Sequence, residues 1–126
     1  MRQVERSIVV ESPTEQVWRL LTDFAEWPKW GPSIRSVSTT ADRAGPGVTG
    51  HVRTIVGVSL PFEITDWDPG RSWSWRVAGI PATGHGVEPL GSATSRVTFT
   101  VPWVAAPYAT VLAAGLSRLK RLAEDH

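Results

Sequence analysis

Residues 7–37, SIVVESPTEQVWRLLTDFAEWPKWGPSIRSV, decide the fold. They read in order as strand, capped helix, very short second helix, aromatic loop, strand. Ile8 and Val10 alternate with Ser7 and Glu11, so residues 4–11 form a strand. Ser12-Pro13-Thr14-Glu15 then starts a helix: Ser12 is a good N-cap, Pro13 suits the first helical position, and Glu15 completes a capping box. Val17, Leu20 and Leu21 give that helix one apolar face, with Trp18 beside it. Asp23 caps a second helix through Ala25 and Glu26, and Pro28 and Pro32 force a loop carrying Trp27 and Trp30. A pair of short helices between the first two strands can close one end of a curved sheet. It leaves room there for a small apolar molecule.

Outward from this stretch the chain is β-rich. Residues 34–40 read as a strand and residues 42–47 (DRAGPG) as a turn. Val48, Gly50, Val52, Thr54 and Val56 alternate with Thr49, His51, Arg53 and Ile55, and Gly57 marks a hairpin tip. Leu60, Phe62 and Ile64 alternate on the next strand, which Asp68-Pro69-Gly70 ends in a turn. Trp73, Trp75 and Val77 share one face of the following strand, and Gly79-Ile80-Pro81 breaks it. Residues 83–88 form a weak strand, because Gly84 and Gly86 lower strand propensity. Val97, Phe99 and Val101 alternate on the last strand. Pro102 and Pro107 bracket the switch to a helix, on which Tyr108, Val111, Leu112, Gly115, Leu116, Leu119 and Leu122 recur at helical spacing. Consecutive strands on short turns make an antiparallel sheet, and its one apolar face needs a cover. The C-terminal helix is the long element available. The class is α+β: a strongly curved sheet of six or seven strands gripping that helix, in a single domain over residues 1–126.

Composition narrows the functional classes. The chain has 126 residues, 41% hydrophobic and 20% charged, enough to build a core and too apolar for global disorder. Its formal charge is +1, and no Lys/Arg block interleaves with aromatics, which argues against a nucleic-acid partner. With no cysteine there are no disulfides or thiolate sites, as suits a cytoplasmic protein. No signal-peptide pattern and no apolar run long enough to span a membrane is present. His51, His85 and His126 lack ligand spacing, so no metal is expected. No phosphate-binding glycine loop precedes a helix and no nucleophile motif is present, so no cofactor is expected either. The unusual statistic is seven Trp, each a large flat apolar surface with one N–H that needs a partner.

The pattern Ser12-Pro13-x-x-x-Val17-Trp18-x-Leu20-Leu21-Thr22-Asp23-Phe24, then Trp27-Pro28-x-Trp30, resembles the polyketide cyclase/dehydrase family of the START-like (SRPBCC) superfamily. Thr65-Asp66-Trp67-Asp68-Pro69 and Gly115-Leu116-x-x-Leu119-Lys120 extend the resemblance over essentially the whole chain. It implies the helix-grip fold and a hydrophobic cavity between the sheet and the last helix. The functions it implies are polyketide cyclisation or dehydration, lipid or hormone binding, and chaperone co-activation.

Within such a cavity, His85 is the leading polar candidate, because alternation turns it inward with Val87. An imidazole there can hydrogen-bond a ligand carbonyl or act as general acid/base. Tyr108, the only tyrosine, would place its hydroxyl near the cavity mouth and share that catalytic role. Trp73 and Trp75, flanked by Phe62 and Phe99, are the expected concave ligand-binding wall, with Trp30 either at the entrance or anchoring its loop, and Leu112 on the helix. The same rings can equally fill the interior as plain core. Arg53, Arg76, Arg96 and His51 belong to the solvated convex side, and Asp66 and Asp68 to turn chemistry. The expected function is binding of a small hydrophobic or aromatic molecule by a monomer or homodimer, with cyclase or dehydratase activity as its enzymatic form. The alternatives are a non-catalytic carrier or sensor and a protein-interaction module with an exposed apolar patch.

Overall fold

Period-two alternation gives every strand one apolar face, and those faces combine into one concave wall. In the computed structural model, which describes residues 3–125 except the side chains of residues 104 and 106, this wall wraps the C-terminal helix. His126 lies outside the described residues. The elements run β1 (Gln3–Val10), α1 (Thr14–Thr22), α2 (Trp27–Trp30), β2 (Ile34–Ser38), β3 (Thr49–Thr54), β4 (Ser59–Asp68), β5 (Ser72–Val77), β6 (Ile80–Gly91) and β7 (Thr94–Pro102). A 3-10 helix (Trp103–Tyr108) leads into α3 (Ala109–Glu124). One seven-stranded sheet has the order β1-β7-β6-β5-β4-β3-β2, antiparallel throughout. Register shifts between Ile64 and Asp66, between Ser74 and Arg76, and between Pro89 and Gly91 bend the strands and sharpen the curl. Ala109, Leu112, Leu116, Leu119 and Ala123 of α3 are buried against the concave side.

The C-terminal end of α1 shows what the tryptophans do there. The last carbonyls of a helix have no partner within it. Here each is met from outside: Trp30 Nε1 donates to the Leu20 carbonyl at 2.9 Å, and Trp27 Nε1 and Trp73 Nε1 both donate to the Leu21 carbonyl, at 2.9 and 3.2 Å. The Thr22 carbonyl accepts from the Ala44 N–H at 2.9 Å. The rings of Trp27 and Trp73 stack with centroids 5.0 Å apart and planes 9° apart, and Trp75 meets Trp27 edge-on at 5.2 Å. Residues from α2 and from the middle of the sheet are thus bolted to α1.

Three local expectations are corrected. Ser12 and Glu15 form no capping box: Pro13 is the N-cap, extended at φ −64° and ψ 153°, and no side chain caps the helix. Ser12 is held inward instead, its carbonyl accepting from Ser95 Oγ at 2.7 Å. The second helix is Trp27–Trp30 and contains Pro28, where a loop was expected. A proline fits there because first-turn N–H groups have no acceptor in the helix anyway. Asp23 Oδ1 does accept from the Ala25 N–H, at 3.0 Å, in the turn before it. Finally, the break that ends β5 is shorter than the expected Gly79-Ile80-Pro81, because Ile80 and Pro81 already belong to β6. Ala78 and Gly79, at φ 53° and 77°, make the tight turn, and residues 83–88 lie inside the twelve-residue β6, the longest strand. On the outer face of the bent sheet a Cβ at Gly84 would run into the Thr100 hydroxyl, whereas one at Gly86 would meet only ordinary contacts.

The far end of α3 is tied to the first strand. Lys120 Nζ donates to the Val9 carbonyl at 3.0 Å and to Glu124 Oε2 at 2.6 Å, and Glu124 Oε2 also accepts from the Glu11 N–H at 2.8 Å. That N–H, and then Lys120, holds the Glu124 carboxyl below the usual range. A stability comparison tests the indole cap. Trp30→Phe leaves the Leu20 carbonyl without its donor, whereas Trp73→Phe leaves the Leu21 carbonyl still bonded to Trp27. Urea unfolding should find Trp30→Phe the costlier change by about 1–3 kcal/mol, at an unchanged m-value.

Candidate functional site

The concave face is not filled along its whole length. At the end of the sheet where β2, β4 and β6 begin and β3, β5 and β7 finish, a cavity of about 410 Å³ remains, open to solvent. Its wall comes from Val52 and Thr54 of β3, Leu60 of β4, Trp75 and Val77 of β5, and Phe99 and Val101 of β7. The cover comes from Trp30, from Pro32 and Ser33 after α2, and from Val111, Leu112 and Gly115 of α3. Gly115 lets the helix approach closely: a Cβ there would lie 3.1 Å from the Trp30 carbonyl oxygen. Among the described residues no Asp, Glu, Lys or Arg lines the space. An apolar pocket above ~300 Å³ with a few converging polar groups is the ordinary form of a small-molecule site.

Its polar groups form two sets. On the wall, Trp75 Nε1 donates to Thr83 Oγ1 at 3.0 Å, and Thr83 Oγ1 lies 3.0 Å from His85 Nε2. At the mouth, Ser33 Oγ and Tyr108 Oη share a hydrogen bond of 2.8 Å. His85 is 5% exposed and enclosed by rings, with centroids of Trp73 at 4.1 Å, Phe99 at 5.0 Å and Trp30 at 5.6 Å. Burial lowers its pKa from 6.5 to about 3, and the Trp73 backbone pulls the other way too weakly to offset this. Nδ1 makes no hydrogen bond of good geometry. The imidazole is therefore neutral at physiological pH. Either the Thr83 hydroxyl donates to Nε2, or Nε2–H donates to the hydroxyl and leaves the hydroxyl proton for a guest.

Six of the eight residues singled out from the sequence line the cavity: Trp30, Trp75, His85, Phe99, Tyr108 and Leu112. Trp30 is deeply buried rather than placed at an entrance. Phe62 and Trp73 do not line the space. Their rings are taken up by the aromatic cluster, Phe62 against Trp27 at 5.9 Å and Trp73 stacked on the same indole. His51, Arg53, Arg76 and Arg96 are exposed, as alternation requires. Sequence reasoning overlooked Thr83 and Ser33, which hydrogen-bond the two polar candidates. Thr83 was within reach, standing two residues from His85 on the same strand face, whereas nothing local marks Ser33 as the partner of Tyr108.

Among the described residues no group of His, Cys, Asp and Glu could hold a metal ion, and no helix is long and apolar enough to cross a membrane. Comparison with curated proteins finds no match. Among solved structures, the chain is similar to protein XoxI from Bacillus cereus (TM-score 0.76, 20% identity, covering 98% of this chain and 96% of that one). It is also similar to the Zhui aromatase/cyclase from a Streptomyces species (TM-score 0.73, 17% identity, 98% and 93% covered). A third similar structure is the di-domain ARO/CYC protein BexL, at TM-score 0.71 and 21% identity, with 96% of this chain and 46% of that one covered. At such identities the likeness establishes the helix-grip fold. The family model described as polyketide cyclase/dehydrase and lipid transport matches residues 1–124, and the chain belongs to that family.

Proposed function

We propose that the protein binds one neutral, largely apolar small molecule, ringed or folded, that carries a hydrogen-bonding oxygen. The supporting observation is the uncharged cavity of about 410 Å³ with the Trp75–Thr83–His85 chain on its wall. A carboxylate or ammonium group would lose its hydration there without finding an opposite charge. A carbonyl or hydroxyl would find the Thr83–His85 pair, and the rest of the guest would lie against Trp30, Trp75 and Phe99. Native mass spectrometry of freshly purified protein tests this directly by weighing a co-purified guest. Val111→Trp, which puts an indole into the cavity from α3, should keep the fold and remove the bound mass. A protein that carries no guest, and takes up no neutral polyketide, flavonoid or sterol in a fluorescence titration, would refute the reading.

A second reading, cyclisation or dehydration of a polyketide-like chain, draws support from the family and from the aromatase/cyclase neighbours. In that reaction the cavity would hold a flexible poly-carbonyl chain in one fold, and orientation would supply much of the rate. His85 at a pKa of about 3 is a weak base, so its part would be to hydrogen-bond the carbonyl being attacked, with Tyr108 as proton donor at the mouth. His85→Ala separates the two readings. A catalytic protein loses about 10²-fold or more in turnover while still binding, and a carrier has no turnover to lose.

The buried imidazole also sets a pH dependence. Unfolded, His85 takes up a proton near pH 6.5; folded, it resists until about pH 3. Between these values the unfolded chain holds the extra proton, so stability falls as pH drops through the window, by up to about 1.4 kcal/mol per pH unit. Above pH 6.5 His85 contributes no slope. In urea titrations across this range, His85→Phe should show a shallower acid loss than the unaltered protein.

A further inference from the structure

Large apolar side chains are exposed at one end of the sheet. The β3–β4 turn reads Ile55-Val56-Gly57-Val58, and Val56 is 79% exposed. The β5–β6 turn ends on Ile80, 67% exposed, and Trp103, just past β7, is also exposed. Hairpin tips ordinarily carry Gly, Asn, Asp and Pro. The β4–β5 turn at the opposite end does so, with Asp68-Pro69-Gly70. The apolar tips therefore answer no requirement of the turns themselves. They surround the end where the cavity opens.

The charges nearest the β3–β4 tip are positive. Arg35 is the second residue of β2, and Arg53 and Arg76 are the next-to-last residues of β3 and β5; all three are exposed. Glu63 of β4 stands directly across from Arg76, whereas Arg53 faces Ser36 and Ser59, and Glu5, the third residue of β1, lies farther back. At about 3.3 Å per strand residue, the guanidinium stems start roughly one or two residues behind the tips. That spacing matches a surface whose apolar part enters about 5–10 Å into a lipid interface while arginines stay at headgroup level.

We propose that this end of the molecule docks on an anionic lipid bilayer: Ile55, Val56, Val58, Ile80 and Trp103 enter the interface, and Arg35 and Arg53 contact lipid phosphates. The net charge of +1 provides little general attraction, so the recognition is local. A second copy of the chain is a poorer occupant, because two-fold pairing of this face would set the same arginines against each other. Docking goes beyond guest binding: it gives the cavity mouth an apolar path to the bilayer.

Flotation with vesicles of phosphatidylcholine plus phosphatidylserine, and of phosphatidylcholine alone, tests the proposal. The protein should float with the anionic vesicles and do so less as salt is raised. Arg35→Ala and Arg53→Ala should each weaken partition about fivefold. The double variant Val56→Ser, Ile80→Ser should weaken it at least tenfold. Neither of those two residues lines the cavity, so a co-purified guest should persist in the double variant, which keeps a failure of docking distinct from a failure of guest binding. No partition onto anionic vesicles, or partition unchanged in the double variant, overturns the proposal. So does a lipid-free dimer in analytical ultracentrifugation that the same double variant dissolves, since the face would then belong to a second copy.

Discussion

Two carbonyl groups at the end of α1 organise this molecule. Leu20 and Leu21 lie in the last turn of a nine-residue helix, and both residues are buried away from water. An unbonded buried carbonyl costs about 1–3 kcal/mol, so something must donate to each. Three indoles do, from α2 and from β5, and each brings a broad apolar ring with its single N–H. The same side chains thus satisfy polar ends and fill volume. They fix the helix pair over one part of the concave sheet, and α3 packs alongside.

That arrangement also explains why a hollow survives in so aromatic a chain. Trp27, Trp73 and Phe62 interlock beneath α1 and α2, where packing is dense. Trp30, Trp75 and Phe99 stand at the boundary, each with part of its ring in the cluster and part facing the cavity. Beyond them the lining falls to smaller side chains such as Val52, Thr54, Ala82 and Val101, too short to reach α3. The cavity is the space left where large rings give way to small ones.

His85 lies on this boundary. Its neighbours are rings on two strands, β5 and β7, and on α2, and its one good hydrogen bond is to Thr83. Burial keeps it neutral, which suits recognition of an uncharged oxygen better than removal of a proton at neutral pH. The Ser33–Tyr108 pair sits at the other limit of the cavity, joining the loop after α2 to the start of α3. Tyr108 is exposed and His85 is buried, so the pair lies nearer to solvent than the imidazole.

The amino-acid sequence alone determined the element order, the antiparallel meander and the inward faces, because strand and helix periodicities are local and survive any packing. It placed His85 and Val87 on one side and the arginines on the other for the same reason. Where each element starts was less legible: Ser12 looked like a cap and Pro28 like a helix end, and contacts with Ser95 and the roles of Trp27 and Trp30 decided otherwise. Local pattern could not tell which aromatic rings fill and which line. Trp73 and Trp75 are two residues apart on one strand face, yet the first stacks on Trp27 and the second borders the cavity. That division depends on where α1, α2 and α3 come down on the sheet. Only tertiary packing sets it, since burial is a property of what lies opposite a side chain and not of its neighbours along the chain.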